Sequence, residues 1–178
     1  MIVILSGPSG VGKDTVIDAW IAADPRVVRV VTYTTRPARH GERDGVDYNF
    51  VDLETFMFLN GQGFFWEHKV VHGNYYGSPK KDTEELLAQG RIPVLKIDVQ
   101  GALEVMRLAP EALTVFLMPP SFEELEERIR GRGTDDDATI QRRLENARGE
   151  MALADRYKLV IVNDDVSLVV SRLREAVQ

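Results

Sequence analysis

The chain reads as an α/β protein, a parallel sheet flanked by helices, and three observations lead there. Short apolar runs at 2–5, 27–31, 92–98, 113–118 and 159–162 alternate with helical patterns along the 178 residues. Turn chemistry separates them, as at Asp24-Pro25 and Gly90. Between about 33 and 78 that rhythm breaks into polar turns and aromatic strands, which reads as a small mixed sheet inserted into the parallel core.

Residues 2–5 (Ile-Val-Ile-Leu) carry the signal of a buried strand, and Gly7-Pro8-Ser9-Gly10-Val11-Gly12-Lys13 follows directly. This is the G-x-x-x-x-G-K spacing of a phosphate-binding loop. Its glycines let successive N–H groups point inward, and the next helix adds the positive end of its dipole. Lys13 then reaches the β- and γ-phosphates of a nucleoside triphosphate as a mobile point charge. One position departs from the pattern. Where a Ser or Thr hydroxyl normally faces Mg²⁺, the chain has Asp14, with Thr15 next.

The first helix, 12–23, is carried by Val16, Ile17 and Trp20 and stopped by Asp24-Pro25. A second strand covers 27–31, and the basic, turn-rich stretch 34–45 reads as an ordered loop. A short strand at 48–51 and a short helix after Asp52 come next, with Phe56 and Phe58 expected to pack. The runs 64–71 and Tyr75-Tyr76 flank a hairpin turn at His72-Gly73-Asn74. The core resumes with a helix at 80–89, a strand at 92–98 broken by Lys96, a helix at 100–108 and a strand at 113–118. Ser121 and Glu124 make a capping box for a helix at 122–130. A loop over 130–137 leads to a helix with Ile140, Leu144, Ala147 and Met151 on one face. The last strand spans 159–162, and Val166, Val169, Val170, Leu173 and Val177 form the final helical stripe. Right-handed crossovers then bring Gly7 and Asp98 to the carboxyl edge of the sheet, where ligands lie in such folds.

Composition narrows the function. Lys and Arg number 22 against 28 Asp and Glu, a net charge of −6, which argues against a broad nucleic-acid surface. A small anionic substrate must be held by locally focused cations. Without cysteine there is no disulfide, thiol nucleophile or Cys-based zinc site. The three histidines lack metal-ligand spacing. Strand one begins at Ile2, leaving no room for a leader, and no apolar run approaches membrane-spanning length. A cytoplasmic location and no membrane partner are the expectation.

Motifs throughout the chain point further. Gly7–Thr15, Thr34-Thr35-Arg36-x-x-Arg39-x-Gly41-Glu42, Gly45-x-Asp47-Tyr48-x-Phe50 and Gly73-Asn74-Tyr75-Tyr76-Gly77-Ser78 are followed by Ile97-Asp98-Val99-Gln100-Gly101, Pro119-Pro120-Ser121, Arg130-Gly131-Arg132-Gly133 and Val162-Asn163-Asp164-Asp165. In order and spacing the chain resembles guanylate kinases over essentially its whole length. The resemblance implies a P-loop NTPase fold with a five-stranded parallel sheet, a GMP-binding insertion at 33–78 and a helical lid at 126–154. The core would comprise 1–32, 79–125 and 155–178 of a single domain.

For chemistry it implies phosphoryl transfer from ATP, with Mg²⁺, to GMP and dGMP, by a monomer or homodimer. Gly7, Pro8, Ser9, Gly10, Val11, Gly12, Lys13, Asp14 and Thr15 would hold ATP, with Asn163 near its adenine. Taken alone, Asn163 reads equally as a helix cap. Two guanidinium forks and two phenols suit a dianionic monophosphate, and the family pattern puts Arg36, Arg39, Tyr48 and Tyr76 on the GMP phosphate. Glu67 can accept both edge donors of guanine, whereas adenine would oppose a lone pair to it; alone, it also reads as an exposed strand carboxylate. The pattern sets Glu67, Ser78 and Asp98 around the base, Ser78 towards the 6-oxo group, with Thr32 where Ser is frequent. Arg128, Arg132 and Arg143 match lid arginines, cations that arrive as the site closes. Asp14 would support the metal directly or through water. Lys96 stands where related chains commonly have a carboxylate, and reads as an ion-pair partner or a phosphate contact. A non-catalytic interaction module and a P-loop kinase for another small phosphorylated acceptor are the competing readings.

Overall fold

The computed structural model describes residues 1–71, 73–131 and 136–178. Its elements run β1 (Val3–Ser6), α1 (Lys13–Ala23), β2 (Val27–Arg29), β3 (Tyr33–Thr34), β4 (Asn49–Phe50), α2 (Leu53–Gly61), β5 (Phe65–Val71) and β6 (Asn74–Pro79). They continue with α3 (Lys80–Ala88), β7 (Ile92–Lys96), α4 (Val99–Leu108), β8 (Leu113–Met118), α5 (Phe122–Arg130), α6 (Asp137–Met151), β9 (Leu159–Val162) and α7 (Val166–Ala176).

β1 lies in the middle of a five-stranded sheet of order β2-β7-β1-β8-β9, with every pairing parallel. Strand alternation splits the apolar run between two cores. Val3 and Leu5 join Val16, Ile17 and Trp20 of α1 and Val169 and Leu173 of α7. Ile2 and Ile4 join Val99, Ala102 and Val105 of α4, with Phe116 and Tyr157. Both faces of the sheet are therefore covered, which is why the strands read as unbroken apolar runs. A third cluster, Leu125, Ile129, Ile140, Leu144 and Ala147, joins α5 to α6.

The second sheet has the order β4-β3-β6-β5 and is mixed: β3 and β4 are parallel, the other pairs antiparallel. The stretch read as a loop from residue 34 begins inside this sheet, because β3 is two residues long and shows no period. Its pairing comes from its neighbours, Thr34 standing between Phe50 and Tyr76. Phe58, expected to pack, is 66% exposed, while Phe56 is fully buried and stacks on Phe65 at 4.6 Å. Positions two apart on a helix point to opposite sides, so one phenylalanine excludes the other from the interface.

The helix starts matter for the site. Asp52, Asp98, Ser121, Asp136 and Asp165 each accept an N–H of their own first turn, capping α2, α4, α5, α6 and α7. α1 instead starts from Gly12, with no side-chain cap, so its first N–H groups remain available to an anion.

Candidate active site

The loop after β1 curls through Gly12, whose φ of 97° lies in the left-handed region. Space is as restrictive there as conformation: a Cβ on Gly12 would come within 2.7 Å of Asn163 Nδ2. Asn163 follows β9, is buried, and donates from Nδ2 to the Val11 carbonyl at 2.7 Å. Its Oδ1 is buried without a partner among the described residues. Asp165, not Asn163, caps α7, so the capping alternative does not hold for Asn163. Arg128 of α5 reaches the same Val11 carbonyl at 3.4 Å and Glu124 at 3.4 Å. The loop is thus clasped from β9 on one side and α5 on the other.

Lys13 folds back on this loop, its Nζ donating to Gly7 O at 2.5 Å and Pro8 O at 3.0 Å. Burial lowers its pKa to about 8, with Glu150 of α6 opposing the shift. Stronger anionic acceptors would compete for those three donors. Ser9 and Thr15 are exposed beside it.

Asp14, in the first turn of α1, accepts on one oxygen from Lys96 Nζ at 2.7 Å and Arg29 Nη1 at 2.9 Å. Burial pushes its carboxyl up, but the two cations outweigh that and hold it below its ordinary value. Of the two readings of Lys96, the ion pair is the one this structure contains.

A cleft of about 450 Å³ runs from Asp14 and Lys96 past Thr32, Tyr48 and Tyr76 to Glu67, Ser78 and Asp98. Glu67 faces it because of a break in β5. The register with β6 shifts between Phe65, opposite Pro79, and Glu67, opposite Ser78. Strict alternation would put Glu67 on the side of Phe65, which packs against α2; the extra residue turns it over. Ser78 Oγ donates to Glu67 Oε1 at 2.5 Å, and burial raises the carboxyl above its ordinary value. The other oxygen lies by Gly101 of α4, where a Cβ would meet Glu67 Oε2 at 3.0 Å. Asp98 caps α4 through one oxygen and ion-pairs with Lys69 of β5 through the other.

Arg36 donates to both oxygens of Glu42, at 3.0 and 2.8 Å, and lies 5.4 Å over the Tyr48 ring. Glu42 keeps the guanidinium firmly charged and also accepts the backbone N–H of Arg39 at 2.8 Å. A smaller hollow joins Arg36, Arg39, Tyr48, Tyr76 and Lys69. Arg143 lies partly buried on α6, while Arg132 lies outside the described residues. Sequence reasoning assigned no role to Glu42, Lys69 or Gly101. Lys69 had a usable signal, since it stands two residues after Glu67, one strand period on. The roles of Glu42 and Gly101 depend on contacts across loops that no spacing encodes.

A family model described as guanylate kinase matches residues 1–178. The guanylate kinase of Aromatoleum aromaticum is 47% identical over 172 residues, covering 97% of this chain and 84% of that one. That of Frankia casuarinae is 48% identical over 170 residues, covering 96% and 92%. The crystal structure of guanylate kinase from Anaplasma phagocytophilum superimposes with a TM-score of 0.77 at 37% identity, covering 99% of this chain and 83% of that one. Matched along its length in sequence and in fold, the chain belongs to the guanylate kinase family.

Proposed function

We infer that the chain is an ATP-dependent nucleoside monophosphate kinase that converts GMP, and dGMP, to the diphosphate. The observation that carries this reading is the single cleft joining Asp14, beside the phosphate loop, to the Glu67–Ser78 pair. The names of the relatives favour an enzyme over a non-catalytic module.

The donor phosphates would lie on the free N–H groups at the start of α1, with Lys13 exchanging its loop carbonyls for phosphate oxygens. Arg36, Arg39, Tyr48 and Tyr76 would hold the acceptor phosphate, and Glu67 would accept two N–H bonds from guanine. Ser78 now donates to Glu67; guanine would compete for that carboxylate and free the hydroxyl for the 6-oxo group. Thr32 and Asp98 line the same cleft. Arg128, already on the Val11 carbonyl, would neutralise charge during transfer with Arg132 and Arg143. Asn163 would meet adenine through its unpartnered Oδ1.

The residues present fit Mg²⁺: this metal takes one or two carboxylates together with substrate phosphates, and Asp14 has one oxygen engaged by cations and a second to offer. Bound there, the ion would supply charge neutralisation on the triphosphate. Exchanging Asp14→Ser and titrating Mg²⁺ tests that role, which unchanged metal affinity and rate would rule out. The insertion at 33–78 and the lid at 126–154 would move as bodies against the core. No helix among the described residues is long and apolar enough to cross a membrane; we place the reaction in the cytoplasm with its nucleotides.

Coupled ADP release with AMP, CMP, UMP, GMP and dGMP, with and without Mg²⁺, tests the reading. Turnover on GMP and dGMP alone is expected; none on GMP, or equal turnover on AMP, overturns it.

A further inference from the structure

We propose that Lys96 is a further catalytic residue, a second ammonium group that meets the transferred phosphoryl group beside Lys13, and that Asp14 positions it. The inference rests on the phosphoryl-transfer reading and adds a residue which that reading does not require.

Lys96 ends β7, directly opposite Leu5 of β1, two residues before the phosphate loop begins at Gly7. A lysine at the carboxyl end of a central parallel strand stands at the ligand edge of this fold class. It lines the cleft together with Tyr76, Glu67 and Ser78, and its Nζ is anchored on Asp14, the residue after Lys13. Lys13 and Lys96 feel each other's charge, with Asp14 offsetting the repulsion. Asp14, one residue after Lys13, thus holds the Lys96 ammonium group at the start of α1.

Asp14 would otherwise be a difficulty, since a bare carboxylate there repels a triphosphate. Two cations on one oxygen neutralise it. They are not equivalent. Arg29 spends one nitrogen on Asp14 and the other on Asp18 at 2.9 Å. Lys96 gives Asp14 one of three donors and keeps two for a ligand.

In the reaction an oxygen of the acceptor phosphate, already deprotonated, forms a bond to the γ-phosphorus. The bond from that phosphorus to the β–γ bridging oxygen breaks, and ADP departs with the electron pair. Charge spreads over the three equatorial oxygens of the moving group. Donors fixed where that charge develops are worth most in a site closed to water.

The test uses the full chain and the variants Lys96→Gln, Lys96→Arg, Asp14→Asn and the double variant Lys96→Gln/Asp14→Asn. Melting temperatures establish that each is folded. Lys96→Gln should lower kcat about 100-fold while KM for GMP stays within about threefold, and Lys96→Arg should keep part of the rate. In calorimetry without GMP or Mg²⁺, Lys96→Gln should weaken ATP binding about tenfold, because Asp14 has lost a counter-charge. At saturating Mg²⁺, Asp14→Asn alone should lower kcat about fivefold by releasing the Lys96 anchor, the scale of coupling within one ion-pair network. The double variant, assayed at saturating Mg²⁺ so that a weakened metal contact is offset, separates the roles: Mg²⁺-free ATP binding should return and kcat should stay low. If the double variant recovers wild-type kcat, or Lys96→Gln keeps kcat within threefold, Lys96 is only a counter-ion and the proposal fails. Wild-type protein inactive on GMP would instead overturn the function itself.

Discussion

Glu67 owes its place in the cleft to one extra residue in β5, and its chemistry to burial beside Ser78. Glutamine at this position offers one acceptor and sets an NH₂ group against the second guanine donor. Glu67→Gln should therefore reduce kcat/KM for GMP about 10³-fold, mostly through KM; steady-state kinetics with GMP unaffected would sink the base-reading role. Because burial raises the Glu67 carboxyl, kcat/KM for GMP should fall with falling pH from above the ordinary glutamate range, as the acceptor becomes a donor. That acid limb should vanish in Glu67→Gln. Lys13 sets the other side. Its pKa of about 8 means that kcat/KM for ATP falls as pH rises through that value, while kcat changes less because bound phosphates favour the charged form. The same shift links to stability. Between about 8 and the ordinary 10.5, the unfolded chain holds a proton that the folded chain has released, so this group makes folding more favourable as pH rises.

Two elements carry the site by what they leave out. α4 begins so close to β5 that a Cβ at 101 would sit 3.0 Å from the Glu67 carboxylate, which would have to shift to admit it. Gly101→Ala improves helix propensity by about 1 kcal/mol, so the melting temperature should hold or rise. KM for GMP should nevertheless increase severalfold as the carboxylate is displaced; a normal KM would show that Glu67 has room to yield. β9 delivers Asn163 to the Val11 carbonyl, the only described side chain holding that oxygen at less than 3 Å. Asn163→Ala strips a buried acceptor, which costs about 1–3 kcal/mol, and loosens the loop before α1. Chemical denaturation should register that loss, accompanied by a higher KM for ATP.

At the scale of the molecule, a chain of net charge −6 meets two anionic nucleotides with cations held against carboxylates, since the cleft is lined by Asp14, Glu42, Asp47, Glu67 and Asp98 beside Arg29, Lys69 and Lys96. Arg36, Lys69 and Lys96 are each paired with a carboxylate, Glu42, Asp98 and Asp14 respectively. Ligand phosphates would compete for these cations, and the α5–α6 pair has its own small core with which to move. Small-angle scattering should therefore show the radius of gyration falling when a non-hydrolysable ATP analogue and GMP are both present, more than with either alone. Identical curves in all four states would exclude closure.

The residue pattern was enough to specify the parallel sheet, since strands buried on both faces must be apolar throughout. It also specified the glycine-turned loop between β1 and α1, since Gly12 acts through backbone freedom within one contiguous stretch. Tertiary structure alone decided what depends on approach between distant segments. The two residues of β3 pair because β4 and β6 flank them, and Phe58 is left in solvent because Phe56 takes the interface. The turn of Glu67 into the cleft, the anchoring of Lys96 on a carboxylate 82 positions away and the grip of Asn163 on Val11 are likewise invisible to periodicity. Spacing along a chain encodes which face a side chain takes within its own element; which charge stands opposite it is settled only when the elements pack.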